Sequence, residues 1–209
     1  MRTNHTIRRP IRTALAVAAV AAIAAVAAVP VSAGAVPTFA GKASPATIRT
    51  AATTTACPSG WGSLPEARRW PGVAEGALTN LRAGRQACYD RVVIDVRGRS
   101  IAYSVRYVSA VSMEGSGAPV PLRGGAKLQV VVSPADSDYE GRSTYHPANR
   151  RELVNVTGYR TLRQVAHAGS LEGQTTLGVG VRARLPFRTF TLAGPGSNSR
   201  LVIDIAHHW

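Results

Sequence analysis

The sequence predicts an all-β domain, a sandwich or an open barrel, on three observations. Short β-branched runs recur from residue 78 to residue 206, clusters of glycine, proline and serine punctuate them, and no amphipathic period outlasts two helical turns. The runs fall at 78–83, 89–96, 102–111, 127–132, 155–166, 176–183, 187–192 and 201–206. Within 102–111, Tyr103, Val105, Tyr107 and Ser109 share one face, as the two-residue period of a strand requires. Turns are expected at Gly98, Gly115-Ser-Gly117, Gly124-Gly125 and 194–199. Residues 66–69 read as a short helical turn ahead of Pro71, and 133–152, with the least strand character, as an exposed loop.

A different composition precedes this region. Residues 14–29 are all Ala, Val, Leu or Ile, four arginines (Arg2, Arg8, Arg9, Arg12) come before them, and no acid occurs before Glu66. With the small residues of Val31-Ser32-Ala33, this is the layout of a secretory signal over 1–33, cut after Ala33 or alternatively after Ala35. The competing reading is a retained anchor, but the 16 apolar residues fall short of the roughly 20 that span a bilayer. Residues 34–56 hold Ala, Thr, Ser, Pro and Gly without period and read as a disordered linker; the β domain occupies 57–209.

Charge narrows the partners. Lys+Arg number 25 against 11 Asp+Glu; removing the four leader arginines leaves 21 against 11, about +10. Such an excess favours anionic partners. For an exported chain these are wall polymers rather than nucleic acid, and no recognition helix or stacked-aromatic motif accompanies the charge. The two cysteines, Cys57 and Cys88, allow one pairing and read as a disulfide in an oxidising compartment; two cysteines cannot build a zinc site unaided.

No catalytic residue, metal or cofactor is expected. Ser170 lies in Gly169-Ser-Leu-Glu-Gly173, not in a Gly-x-Ser-x-Gly elbow. His146, His167, His207 and His208 lack metal-ligand spacing, and Asp136, Asp138 and Glu140 lack the glycine and terminal glutamate of a calcium loop. One hexapeptide repeats: Arg91-Val-Val-Ile-Asp-Val96 returns as Arg200-Leu-Val-Ile-Asp-Ile205, which predicts two equivalent strands in related places of opposed sheets. Asp90-Arg91 reads either as a cross-strand ion pair or loop anchor, or as a ligand contact.

Several short motifs, in order, resemble one family. They include Gly60-Trp-Gly-Ser-Leu-Pro65, Cys88-Tyr-Asp-Arg-Val-Val93, Tyr103-Ser-Val-Arg-Tyr-Val108, Leu177-Gly-Val-Gly180, Leu185-Pro-Phe-Arg188 and Arg200-Leu-Val-Ile-Asp204. Over about 60–209 the chain resembles the AMIN-like domain family of exported proteins from high-GC Gram-positive bacteria. That family is named for AMIN domains, non-catalytic modules attached to cell-wall amidases and secretins, with peptidoglycan as the proposed ligand. The resemblance implies a β-sandwich of two facing antiparallel sheets and an envelope-binding role. Two departures stand out. Gly84-Arg85-Gln86 replaces the family's Gly-x-His, so no role for that histidine carries over, and Leu171-Glu172-Gly173 replaces Phe-Glu-Gly.

The expectation is therefore a secreted, wall-associated, non-catalytic module without a stable membrane span once the signal is removed. It would contact peptidoglycan or an associated anionic polymer through Arg82, Arg85, Asp90, Arg91, Arg106 and Glu172, with Trp61 or Tyr89 stacking on sugars. The four arginines would come from neighbouring strands. Two alternatives stay open: an envelope protein-interaction module using a sheet edge or the 133–152 loop, and a wall hydrolase with Glu172 or Asp90 as acid/base.

Overall fold

The computed structural model describes residues 56–69, 76–99 and 101–209. The expected signal segment and nearly all of the expected linker lie outside them. The described residues form β1 (Glu66–Arg68), β2 (Ala77–Arg85), β3 (Tyr89–Arg97), β4 (Ala102–Val108), β5 (Val111–Ser112), β6 (Pro119–Val120), β7 (Ala126–Ser133), β8 (Leu162–Leu171), β9 (Gln174–Val181), β10 (Phe187–Ala193) and β11 (Asn198–Ala206), and no helix. Among them no helix is long and apolar enough to cross a membrane.

These strands make a two-sheet antiparallel sandwich. One sheet runs β1-β4-β7-β9-β8, the other β10-β11-β3-β2, and β5-β6 form a small separate hairpin. Alternation explains the packing. Val92, Ile94 and Val96 of β3 and Leu201, Ile203 and Ile205 of β11 turn inward. They meet Leu128, Val130 and Val132 of β7 and Leu177 and Val179 of β9 in one core. Each such burial contributes about 1.5–3 kcal/mol before chain entropy is subtracted. A one-residue slip would turn a whole set outward, so the pattern holds the register.

Four sequence readings need correction. The two repeat copies do not lie in opposed sheets: β3 and β11 are antiparallel neighbours at the centre of the four-stranded sheet. Antiparallel pairing sends both apolar phases into the same core and sets Arg91 opposite Asp204 and Arg200 opposite Asp95. Residues 66–69 are not a helical turn. Glu66–Arg68 pair with β4, and Glu66 Oε2 reaches across to accept hydrogen bonds from Thr189 N and Oγ1, both at 2.6 Å. The run 155–166 is not one strand. Asn155 Oδ1 accepts from Thr157 N in a local turn, and β8 begins only at Leu162. The run 102–111 ends at Val108, and Val111–Ser112 pairs instead with Pro119–Val120.

The disulfide joins Cys57 to Cys88 with 5.4 Å between Cα atoms. It fastens the chain ahead of β1 to the approach to β3. Glu172 and Gly173 form the tip of the β8–β9 hairpin, at φ 50° and 78°. Two left-handed residues in a two-residue loop favour Asn-Gly over Glu-Gly. Glu172→Asn is therefore expected to raise stability by about 0.5 kcal/mol, read as a higher urea midpoint; an unchanged or lower midpoint would contradict this account of the turn.

Candidate functional site

The outward face of the four-stranded sheet is built in rows. Alternation directs Arg188, Phe190 and Leu192 on β10, Arg200, Val202 and Asp204 on β11, and Arg91, Val93 and Asp95 on β3 away from the core. The register aligns them across the strands as Arg188·Asp204·Arg91, then Phe190·Val202·Val93, then Leu192·Arg200·Asp95. On β2, Arg82 stands beside Val93 and Asn80 beside Asp95.

The first row carries the densest chemistry. Asp204 is fully buried although it lies on the outward phase. Its Oδ1 accepts from Arg91 Nε at 2.6 Å, and its Oδ2 accepts from Arg91 Nη2 at 2.9 Å and from Arg188 Nε and Nη2 at 3.0 and 2.9 Å. Two guanidinium groups thus share one carboxylate, leaving one positive charge in excess. Hydrogen bonding to Asp204 pushes the Arg91 pKa above its ordinary value, outweighing partial desolvation, so Arg91 stays charged at any working pH.

Rings cover this charge. Arg188 stacks 4.5 Å from the Trp61 centroid and 5.1 Å from that of Phe190, and Arg91 lies 5.3 Å from Tyr89 and 5.6 Å from Phe190. Trp61 and Tyr89 meet at 5.5 Å, tilted by 56°. The layer keeps water from Asp204 and Val202 while leaving the Arg91 and Arg188 side chains 27% and 41% exposed. Among the described residues neither arginine uses its Nη1 in a hydrogen bond. The face therefore offers aromatic surface, two oriented cations and open donors, which suits an anionic, ring-bearing ligand.

The third row is less complete. Asp95 accepts from Arg82 Nε and Nη2 at 2.8 and 2.7 Å and from Asn80 at 3.2 Å. Hydrogen bonding to Asp95 raises the Arg82 pKa, chiefly through that contact. Among the described residues Arg200, opposite Asp95, reaches only Ala193 O, at 3.3 Å, and its buried Nε has no partner.

The sequence-predicted residues scatter more than expected. Arg82 and Arg91 share this face. Arg85 ends β2 with its guanidinium 5.7 Å from the Tyr159 ring. Asp90 points inward, 1% exposed, and accepts from Thr161 N at 2.6 Å and Leu162 N at 3.0 Å; His207 Nε2 lies 3.1 Å away. Arg106 is not on a neighbouring strand. It belongs to β4 in the other sheet and donates to Gln129 Oε1. Glu172 sits at its hairpin tip. Arg188, Phe190 and Asp204 were missed as site residues, although Asp204 is the repeat's mirror of Asp95 and was the available signal.

Acids elsewhere are used internally. Among the described residues Glu114 accepts from the Thr176 hydroxyl, Asp138 and Glu140 from Arg142, and Glu152 from Arg123. The positive excess is therefore not neutralised within the domain.

A family model for the AMIN-like domain matches residues 76–207, which span both sheets from β2 to β11. The chain belongs to the AMIN-like domain family. This family is associated with peptidoglycan-related envelope proteins. No curated protein matches the chain. The AMIN-like match includes Tyr89, Arg91, Arg188, Phe190 and Asp204, whereas Trp61 and Cys57 precede it. In this chain the AMIN-like sheet therefore receives its outermost ring from a disulfide-fastened extension.

Proposed function

We propose that this AMIN-like domain is a secreted, non-catalytic module that binds peptidoglycan or an associated anionic wall polymer on the β10-β11-β3-β2 face. The observation carrying the reading is the Arg188·Asp204·Arg91 row enclosed by Trp61, Tyr89 and Phe190. Sugar C–H faces stack on rings, and carboxylate or phosphate groups accept from the open guanidinium edges. Asp204 orients both cations, so little side-chain entropy is lost on binding. The disulfide and the basic, then apolar, leader support an extracytoplasmic location. Enclosure of Asp90 and Asp204 by their own partners supports a binding rather than a catalytic role.

Retention on purified cell-wall sacculi tests the proposal. Wild-type protein should be retained and released by salt, since screening shortens the reach of exposed charges. Arg91→Gln/Arg188→Gln should weaken retention at least tenfold, about 1.4 kcal/mol or more, with folding checked by thermal melt. Retention that is unchanged in a folded double variant would sink the assignment, as would release of dye from labelled wall by the wild type.

A further inference from the structure

We propose a second ligand site, for a carboxylate-bearing small molecule, in the cleft between the β7–β8 connection and β8, with Arg150 and Arg151 as its anion-binding groups. The site is independent of the proposed polymer face, since none of the residues lining the cleft belongs to the four-stranded sheet.

Residues 134–161 join β7 to β8 without a regular strand. That is well beyond the about 12–15 residues at which structureless connections become uncommon and are usually functional. The segment is nevertheless held firmly. Leu78 N donates to Ala135 O at 2.8 Å, Thr144 Oγ1 to Leu78 O at 2.7 Å, His167 N to Arg150 O at 2.8 Å and Leu153 N to Val165 O at 2.8 Å. Between it and β8 lies a cleft of about 490 Å³, room for a ligand of dipeptide size.

Its floor is a buried polar pair. His167 Nε2 lies 2.9 Å from Asp136 Oδ2, with side chains 3% and 11% exposed. Gly169 N donates to His167 Nδ1 at 3.1 Å, so Nδ1 is an acceptor and the ring proton sits on Nε2, donated to Asp136. Burial lowers the His167 pKa below its ordinary value; the Asp136 charge opposes this and the Arg150 charge reinforces it. The ring is therefore neutral near pH 7. A buried polar pair of this kind is costly unless fully hydrogen-bonded, and here the bonding fixes Asp136 beneath Arg150. Arg150 Nη1 is 3.3 Å from His167 Nδ1 and 3.9 Å from Asp136 Oδ2, while its side chain remains 59% exposed.

Among the described residues Arg150 Nε and Nη2 and the whole Arg151 guanidinium make no hydrogen bond. Two guanidinium groups against one carboxylate leave a single positive charge. That balance suits a planar monoanion, which a guanidinium edge binds bidentately; the fixed Asp136 carboxylate repels a dianionic phosphate. Asp138 and Glu140 are paired with Arg142 and do not line the cleft. Met113 supplies an apolar wall and Ser137 a hydroxyl for the rest of the ligand.

Titration calorimetry on the mature chain at pH 7 tests this with four probes: N-acetyl-Ala-Ala, its C-terminal amide, glucuronate and inorganic phosphate. At least one carboxylate probe should bind tenfold or more tightly than both the amide and phosphate, and which one binds separates a peptide terminus from a sugar acid as source. Arg150→Gln and Arg151→Gln should each weaken that binding at least tenfold, and Arg106→Gln should leave it unchanged. Equal binding of acid and amide, stronger binding of phosphate, no binding of either carboxylate, or full binding by both arginine variants overturns the site. Sacculus retention by the same wild-type sample shows separately whether the polymer face works.

Discussion

Asp90→Ala is expected to lower the unfolding free energy by about 3–5 kcal/mol, the range for removing one partner of a buried charged network. The carboxylate is 1% exposed and accepts from Thr161 N and Leu162 N, where β8 begins, while His207 just beyond β11 lies against its other oxygen. His207 Nδ1 in turn faces Ala87 O at 3.2 Å. Alanine would leave two buried N–H groups and an imidazole without their acceptor. At about 2–4 °C per kcal/mol for a domain of this size, melting should fall by roughly 6–20 °C. Asp95→Ala, which breaks a partly exposed pair with Arg82, should cost about 1 kcal/mol or less. Equal losses in the two variants would refute the distinction drawn between the two acids.

Asp90 and Arg91 illustrate what could be read from the chain. Alternation alone put them on opposite faces of one strand, and it also located β3 and β7 within a residue of their ends; β11 begins three residues before the expected 201, inside the stretch read as a turn. Alternation does not name a partner. The cross-strand ion pair expected of Asp90-Arg91 belongs to Arg91 with Asp204, 113 positions away, whereas Asp90 anchors backbone amides. Arg188 and Phe190 looked like ordinary strand residues until β10 was placed beside β11. Asp136 and His167 are separated by 31 positions and share no local pattern, so their pairing awaited the fold of the connection between them. The boundary error at 155–161 has a local cause. Val156 packs into the core from a turn, which apolar content cannot tell from a strand.

Removing the Cys57–Cys88 bridge should produce a comparable loss. Its partners are 31 positions apart, and closing a loop of that length contributes about 3–4 kcal/mol in the chain-entropy model. Cys57→Ser/Cys88→Ser should therefore unfold at a clearly lower urea midpoint, and reductant should shift the wild type but not the double variant. A second effect follows from Trp61, whose place against Arg188 and Tyr89 depends on the tethered segment. Sacculus retention should weaken in the double variant at temperatures where it remains folded. Undiminished stability and retention would show that the backbone bond between Gly62 and Phe187, with the Glu66 contacts, holds this segment alone.

The central seam between β3 and β11 has a consequence in time. The β2–β3 and β10–β11 hairpins each pair locally, but they become one sheet only when β3 meets β11, more than 100 residues further along the chain. Such distant closure is entropically expensive and slow, typically milliseconds to seconds in all-β domains. A nascent or threaded chain lacking its final stretch thus leaves one edge of β3 unpaired and the shared core without Leu201, Ile203 and Ile205.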